Sequence, residues 1–389
     1  MKRESLGPAA ISLVLLVLTS CSLASCSAAA PAGSGRSSTA DAEAARDLAL
    51  ASARVWRPPG IPIGQASLDQ NPPGGWLPTD EVECRFVQDT ATGTTAKFDC
   101  QLPDGEIVKV KYGKANEELH SEVAAARLLS ALGFGADRMF VVRRVRCSGC
   151  PRYPFLAMRC FDRTGARWPC FAGGLDYDSV REFDHVTIER RMPGRTIEAF
   201  DGQGWAWFEL DRIDPRRGGS PRAELDALRL MAVLIAHWDN KPANQRLVCL
   251  PGGDRPDGTC AEPLAIIHDL GGTFGPRKLE LSNWRRLPIW ADARECRVSM
   301  KRMPFGGSTF GDHLISEEGR QFLLGLLEQL SAVQLESLFA ASRMTEFDAP
   351  AAGSGSPSNW AAAFAEKTRQ IREAGPCRSL VPSSLVPGP

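Results

Sequence analysis

The sequence has no excess of charge of either sign, because 46 lysine and arginine residues are balanced by 46 aspartate and glutamate residues. A formal net charge of zero gives no electrostatic reason to expect a nucleic acid or an anionic membrane as partner. We therefore expect no nucleic-acid partner. The chain also lacks a repeat of fixed period, so nothing in it indicates a repeat architecture.

Long apolar runs are missing except near the N-terminus, where Ala9 to Leu18 is apolar. This run is too short to span a bilayer as a resident helix. It follows Met1-Lys2-Arg3 and precedes small residues and cysteine, a layout that is typical of a bacterial signal peptide. Residues 1–26 are therefore predicted to be a lipoprotein signal peptide.

Two cysteines after the apolar run are candidates for lipid attachment. Leu18–Cys21 and Leu23–Cys26 each place an aliphatic residue and two small residues before the cysteine. The other ten cysteines are an even number, so cleavage before Cys26 leaves none unpaired, whereas cleavage before Cys21 leaves an odd thiol. The shorter distance to the apolar run favours Cys21 instead. We prefer Cys26, with Cys21 and a plain secretory signal as alternatives, and expect a periplasmic or surface-exposed protein anchored to a membrane of the cell envelope.

The mature part begins with a change of composition. Residues 27–50 are rich in alanine, serine and glycine, so they are predicted to be a flexible tether, and 27–76 is assigned to tether and lead-in. Roughly 330 residues then remain, enough for one large domain of two lobes or two ordinary domains.

Short strands dominate the next segment. Cys84–Val87 and Lys97–Leu102 are predicted to form a hairpin with a disulfide between Cys84 and Cys100, and Ile107–Tyr112 is predicted to be a third strand. A helix over Glu117–Leu132 should stop at Gly133. Further strand patterns are Phe140–Val145, Phe155–Arg159 and Val186–Glu189. Cys147 and Cys150 lie nearby with Cys160 and Cys170, and structural disulfides are preferred over a zinc or redox site.

The second half is predicted to be mainly helical. The helical patterns cover Glu224–His237, Glu317–Leu330, Val333–Ser342 and, more weakly, Ser358–Ala374. The order of strands and helices indicates an α+β protein.

Two segments carry groups suited to phosphate chemistry. His237–Asn244 places Asp239 and Asn244 five positions apart with Lys241 between them, and Ile266–Gly271 brings Asp269 out of an apolar strand. Phosphoryl transfer requires oxygen ligands for Mg²⁺, a cation on the phosphates and a carboxylate at the nucleophile.

These segments resemble the catalytic loop and the metal-binding segment of the protein-kinase-like superfamily. The resemblance implies that Asp239 acts on the acceptor hydroxyl, that Lys241 neutralises the transferring phosphate, and that Asn244 and Asp269 hold Mg²⁺. His237 and His268 are interpreted as packing and orienting residues rather than metal ligands.

The resemblance extends to the first lobe. Lys111 resembles the lysine that anchors the phosphates of ATP, and Glu122 resembles its ion-pair partner. Thr92-Gly93-Thr94 takes the place of the glycine-rich loop, and adenine is expected near Glu189, where the lobes join at Met192-Pro193-Gly194. Singly, Lys111 and Glu122 would also fit solvated charges on an edge strand and a helix face; their combination with the second-lobe motifs favours the kinase interpretation.

Departures from ordinary protein kinases indicate an atypical member, similar to secretory-pathway, bacterial toxin-type or lipid kinases. Trp238 stands where arginine is usual, Leu270 replaces phenylalanine, and no Ala-Pro-Glu segment follows Gly271. The stretch from Asn244 to Asp269 is also long, and a hairpin closed by a disulfide between Cys249 and Cys260 would account for its length.

The resemblance implies a two-lobed kinase-like fold with a small β-rich N-lobe over 77–192, a mainly helical C-lobe over 193–347 and a C-terminal tail over 348–389. It implies an exported phosphotransferase that uses ATP and Mg²⁺, binds nucleotide, and acts on an acceptor that is a protein, sugar, lipid or small molecule. The alternatives are an inactive kinase-like binding module and a relative that transfers nucleotide.

Overall fold

The computed structural model describes residues 39–91, 93–171, 179–199, 201–276, 279–304, 306–346 and 355–378. The predicted signal peptide and both candidate lipidation sites, Cys21 and Cys26, lie outside these ranges, as does Thr92. The described residues mix helices and strands, in agreement with the predicted α+β class.

Five strands form a closed barrel in the spatial order β1-β2-β3-β5-β4. They are β1 (Glu81–Phe86), β2 (Lys97–Gln101), β3 (Ile107–Tyr112), β4 (Arg138–Ser148) and β5 (Val180–Arg190). Neighbours are antiparallel except β1 and β4, which run parallel and close the barrel. Alternate residues of β1 and β3 are buried, so apolar side chains such as Val108 and Val110 fill the barrel core.

Three helices pack around the barrel: α2 (Glu118–Ala131), α3 (Pro154–Thr164) and α4 (Arg167–Phe171). The strand predicted over Phe155–Arg159 is wrong, because this segment lies in α3. Pro154 fits the first helical position, Gly165 ends the helix with φ 64°, and Phe155 and Met158, three positions apart, are buried on one face. A segment of only five residues fits both the two-residue period of a strand and the 3.6-residue period of a helix. The flanking proline and glycine favour the helix.

The remaining elements build the mainly helical part. Its helices are α5 (Arg222–Leu234), α6 (Leu281–Arg286), α7 (Glu317–Leu327), α8 (Ala332–Ala341) and α9 (Pro357–Glu373). The strands are β6 (Arg195–Thr196), β7 (Gln245–Cys249) and β8 (Pro263–Ile267) in one antiparallel sheet, with β9 (Arg297–Val298) and β10 (His313–Leu314) in another. Its core, separate from that of the barrel, includes the fully buried Trp205, Trp207, Trp284 and Trp360.

The tether prediction is wrong for residues 39–50, which lie in a helix packed on the domain. Helix α1 (Thr39–Ala51) buries Ala49 and Leu50 and forms an ion pair between Arg46 and Glu209 at 2.9 Å. The following residues pass along β8, and Asn71 hydrogen-bonds to the backbone of Val141. Small residues are common both in flexible tethers and in helices that pack closely on a core. Composition alone therefore could not distinguish a tether from a helix here.

The C-terminal tail also packs on the domain as far as residue 378. Helix α9 places Trp360 in the core, stacked on Trp284 at 5.5 Å between ring centroids, and Cys377 is bonded to Cys296. The tail boundary at 348 therefore does not separate α9 from the domain, because the helix buries a large aromatic side chain there.

Five disulfides connect the described cysteines. The structure contains both predicted bridges, Cys84–Cys100 and Cys249–Cys260, the second of which closes the β7–β8 hairpin. The other three are Cys147–Cys150, Cys160–Cys170 and Cys296–Cys377. All ten cysteines after residue 26 are thus paired, which agrees with the preference for structural disulfides.

Within the described ranges, no single helix has the length and apolar composition needed to cross a membrane, whereas α7 and α8 pass that test only as a pair, bent by 78°.

Candidate functional site

A cleft of about 500 Å³ lies between the barrel and the helical part. Its barrel wall is formed by Gly93, Thr94, Thr95, Lys97 and Lys109, and its opposite wall includes Trp238, Asp239, Lys241, Asn244 and Asp269. A groove of about 570 Å³ between α7, α8 and α9 is larger. Its lining is mainly apolar and lies away from the predicted site, so the polar cleft is the candidate site.

The end of α5 positions Asp239. The chain turns at Ala236, which has φ 54°, and the amide of His237 bonds back to the carbonyl of Ala232 at 2.9 Å. The carboxylate of Asp239 then accepts hydrogen bonds from the Lys241 ammonium at 3.0 and 3.1 Å. The side-chain nitrogen Nδ2 of Asn244 donates to the backbone carbonyl oxygen of Asp239 at 2.6 Å. Asp239, Lys241 and Asn244 therefore form one connected group.

The side chain of Asn240 holds this loop in place through hydrogen bonds, a role that was not predicted from the sequence. Its side-chain oxygen accepts from Ser308 Oγ at 2.6 Å and from the amides of Thr309 and Phe310 at 3.1 Å each, and its side-chain nitrogen donates to the carbonyl of His237 at 3.0 Å. Asn240 is fully buried. No local pattern signals such a role, because the partners lie about 70 residues later in the chain.

Strand pairing brings Asp269 to the same loop. Gln245 pairs with Ile267 at the open end of the β7–β8 hairpin, so the residues next to this pair, Asn244 and His268, lie close together. The backbone carbonyl of Asn244 accepts hydrogen bonds from the amides of His268 at 3.0 Å and Asp269 at 3.2 Å. One Asp269 carboxylate oxygen accepts from the amide of Gly271 at 3.3 Å. The other oxygen and the Asn244 side-chain oxygen accept no hydrogen bond from the described residues.

Helix α2 contacts the segment after Asp269. Ser121 Oγ donates to the carbonyl of Gly271 at 2.7 Å, and the amide of Leu270 donates to Glu122 Oε1 at 3.4 Å. A β-carbon at Gly271 would lie 2.6 Å from the Glu118 side chain. A side chain at 271 would therefore require the Glu118 side chain to move.

Lys111 and Glu122 form the predicted ion pair. Lys111 is 1 % exposed, and its ammonium contacts the carboxylate of Glu122 and lies 3.4 Å from that of Glu189. Lys109 pairs with Glu189 at 3.3 Å. In β3 these two lysines alternate with the core residues Val108 and Val110, so both lie on the face that looks away from the barrel core.

Burial and charge act in opposite directions on the carboxyl groups of this cluster. Burial raises the pKa of Glu122, Glu189 and Asp269, and at Glu122 the Lys111 ammonium opposes this rise while Glu122 in turn holds the pKa of Lys111 well above its ordinary value. For Glu189 the nearby Lys109 and Lys111 outweigh burial and lower the pKa to about 2. Lys111 and Lys97 likewise hold the pKa of Asp269 well below its usual range. Asp269 is therefore an ionised, partly buried carboxylate facing cationic side chains.

Lys97 is a second residue that the sequence analysis missed. It lies opposite Lys111 in the β2–β3 ladder, and it lines the cleft. Burial lowers its pKa, and Lys111 adds to this effect. The signal was present in the sequence, because directly opposed residues of an antiparallel pair share a face of the sheet.

A second charged cluster occupies the region near Met192 where adenine was expected. Glu189 is 3 % exposed and lies behind the cleft in its ion pairs, rather than on the cleft wall. Asp137 pairs with Arg246, and it accepts a hydrogen bond from the amide of Met192 at 2.7 Å. Charged side chains therefore fill this region where the resemblance implies a purine site.

His268 adjoins this cluster. Asp137, Glu189 and His268 bring ligand atoms within 4.8 Å of one another. Arg246 and Lys109 already neutralise the two carboxylates, so this group is better described as an ion-pair network than as a metal site. Burial lowers the pKa of His268 and of His237 to about 4. Both are thus neutral near pH 7, and His268 contacts the carbonyl of Ala243 at 2.8 Å, in keeping with a packing and orienting role.

The turn at Gly93, which was predicted to take the place of a glycine-rich loop, is held by hydrogen bonds on both sides. Gly93 has φ 81°, a conformation that favours glycine, and its carbonyl accepts from Arg159 of α3. Thr95 donates to Glu118 of α2. Gly93, Thr94 and Thr95 line the cleft, so backbone amides and threonine hydroxyls are available at its roof.

Comparisons with known proteins give distant similarity. No family model and no curated protein matches the chain. Among solved structures, the Helicobacter pylori proinflammatory kinase CtkA is similar with a TM-score of 0.40 and 11% sequence identity, covering 76% of this chain and 96% of that chain. What the site can do therefore follows from its own geometry.

Proposed function

We propose that the protein is a phosphotransferase of two-lobed, kinase-like architecture that uses ATP and Mg²⁺. One observation carries the proposal: Asp239, Lys241, Asn244 and Asp269 converge on one cleft from two separate segments, with the Lys111–Glu122 pair directly behind it. The barrel would be the N-lobe and the helical part the C-lobe.

The donor set fits Mg²⁺. Asp269 and Asn244 each keep a side-chain oxygen that accepts no hydrogen bond from the described residues, and Mg²⁺ prefers such carboxylate and amide oxygens. When bound there, Mg²⁺ would neutralise phosphate charge. Lys97 and Lys109 on the opposite wall would add cationic contacts to the phosphates, with the turn at Gly93 above them.

Asp239 and Lys241 would act at the transferred phosphoryl group. The Asp239 carboxylate would orient the acceptor hydroxyl and accept its proton, while Lys241, held 3.0 Å away, would stabilise negative charge on the phosphoryl oxygens. The Asn244 side chain donates to the carbonyl of Asp239 and the Asn244 carbonyl accepts from the amide of Asp269, so the proposed catalytic and metal-holding residues would be positioned together.

A second candidate, nucleotidyl transfer, is favoured by the charged clusters near Met192. Because Lys109–Glu189 and Asp137–Arg246 occupy the expected purine region, the base would bind elsewhere, and another phosphate could then face the acceptor. Product mass separates the two reactions, since one adds a phosphate and the other adds a nucleoside monophosphate.

We further propose that the protein is exported and anchored to the cell envelope by lipid on Cys26 or Cys21. Five disulfides support an oxidising compartment. ATP binding tests the site itself: ATP in large excess of its Kd should raise the Tm with Mg²⁺ and much less without it. No shift under any metal condition would favour the inactive binding module.

A further inference from the structure

Helices α3 and α4 present the most exposed aromatic side chain among the described residues. Trp168 is 82% exposed, and Tyr153 and Leu156 are 57% and 61% exposed. Tyr153 immediately precedes α3, and Leu156 is the third residue of that helix, so both lie at its N-terminal end. Burying these three side chains against a partner would remove considerable apolar surface from water.

The same surface carries unneutralised positive charge. Between residues 152 and 171 the sequence has four arginines, Arg152, Arg159, Arg163 and Arg167, and one acidic residue, Asp162. None of the four arginines forms an ion pair with another described residue. By contrast, Arg143, Arg144 and Arg146 on β4 all pair with acidic side chains of β1 or β5. The chain is neutral overall, so this excess of three positive charges belongs to residues 152–171; the next two acidic residues, Asp176 and Asp178, lie outside the described ranges.

The surface is held in a fixed shape. Cys160 and Cys170 join α3 to α4, while Phe155, Met158 and Phe171 are buried against the barrel. The Arg152 and Arg167 guanidinium groups lie over aromatic rings at 5.4 Å and 5.5 Å from the centroids. A preorganised surface loses little entropy when it binds.

We propose that this surface, defined by Arg152, Tyr153, Leu156, Arg163, Arg167 and Trp168, docks on a bilayer that contains anionic phospholipids. Tryptophan and tyrosine favour the water–hydrocarbon boundary, where the ring is buried and the polar atom stays hydrated. Arginine pairs with phosphate headgroups, and each cation near an anionic surface strengthens binding about fivefold. The combination of exposed apolar side chains with unpaired arginines fits this partner better than it fits an uncharged protein surface.

This proposal goes beyond phosphotransfer and does not depend on it. It does have a consequence for the cleft, because Arg159 of α3 donates to the carbonyl of Gly93, which lines the cleft. Docking would therefore hold the turn at Gly93 close to the membrane surface.

Vesicle binding tests the proposal. The full chain with Cys21→Ser and Cys26→Ser, which cannot be lipidated, is cosedimented with phosphatidylcholine vesicles with and without phosphatidylglycerol. We expect stronger partitioning onto the anionic vesicles. Arg163→Glu/Arg167→Glu should reduce that partitioning at least tenfold, and Trp168→Ala should reduce it several-fold. The N-terminal apolar run is the same in every variant, so differences between variants report on the surface.

Matched controls come from residues outside α3 and α4. Arg216→Glu/Arg217→Glu makes the same charge change at two exposed arginines, and Phe208→Ala removes a side chain that is 62% exposed. Both should bind vesicles like the parent chain. An unchanged Tm and an intact Cys160–Cys170 peptide would exclude misfolding. If the α3–α4 variants bind anionic vesicles as well as the controls do, the surface does not dock on membranes and a protein partner replaces the bilayer.

Discussion

Lys111 on β3 and Glu122 on α2 form an ion pair in which each side chain is 1% exposed. Within the described residues this pair joins the barrel to the helix that contacts the segment after Asp269, through the hydrogen bond of Leu270 to Glu122. A buried ion pair whose partner is lost leaves an uncompensated charge, which is strongly destabilising. The pair therefore couples the stability of the barrel to the position of the segment after Asp269.

Removing the lysine should cost more stability than neutralising both partners. Lys111→Met is expected to lower the free energy of unfolding by about 3–5 kcal/mol, because Glu122 and Glu189 lose their shared cation. Adding Glu122→Gln should recover part of the loss. Urea denaturation of the two single variants and the double variant measures the coupling, with the exposed Lys114→Met as control. Strictly additive effects would show that the two residues are not coupled.

The pKa of Glu189 predicts a dependence of stability on acid. Its carboxylate is ionised in the fold down to about pH 2, whereas in the unfolded chain it protonates near its ordinary value. A lowered pKa contributes stability that is present above the unfolded pKa and is lost as pH falls toward the folded pKa. Between pH 5 and pH 2, wild type should lose more stability than Glu189→Gln. Equal pH slopes for the two proteins would contradict this assignment.

The disulfide between Cys296 and Cys377 should hold α9 in place. It links residues 81 positions apart, and a loop of that length corresponds to about 4 kcal/mol in the chain-entropy model. Cys296→Ser/Cys377→Ser should lower the free energy of unfolding by a few kcal/mol and increase protease cleavage near residue 350. Trp360 would still pack on Trp284, so the domain should remain folded. Cys160→Ser/Cys170→Ser, which opens a ten-residue separation, should have a smaller effect.

Sequence patterns were informative where local chemistry decides the structure. The hairpin with Cys84 and Cys100 and the buried helix before Asp239 follow from a local period or spacing, whereas the hairpin closed by Cys249 and Cys260 was predicted from the length of its stretch relative to protein kinases; the structure contains all three. Lys111 and Glu122 were matched through the resemblance, and the structure pairs them.

Features that depend on distant partners were not predictable in this way. Asn240 is defined by bonds to residues 308–310, and α1 is fixed by Glu209, so neither leaves a local signal. The charged clusters around Glu189 also escaped prediction, because they require knowing that β3, β5 and the residues after β8 meet. Long-range contacts, rather than local propensity, decide these positions.

The lipid anchor remains a prediction for residues outside the described ranges. Parity favours Cys26, so Cys26→Ser should release the protein from membranes, whereas Cys21→Ser should leave it attached. Metabolic labelling with a fatty acid would show the modified cysteine directly. Release by Cys21→Ser alone would reverse the assignment. The α3–α4 surface could retain some protein on anionic membranes, so fractionation should be done at high salt, which weakens such binding.

Two substitutions separate binding from turnover at the proposed site. Asp269→Ala should weaken Mg²⁺-dependent ATP binding, because it removes an ionised carboxylate that would hold the metal before any transfer takes place. Asp239→Asn should leave ATP binding nearly intact, since its amide can still lie beside Lys241, while lowering turnover by roughly a hundredfold or more. Asp254→Asn, in the β7–β8 hairpin, is the matched control and should change neither. Titration with ATP by thermal shift and a phosphate-release assay measure the two effects. Full turnover in Asp239→Asn would remove this carboxylate from the mechanism, whereas wild type that binds ATP without turnover would support a nucleotide-binding module.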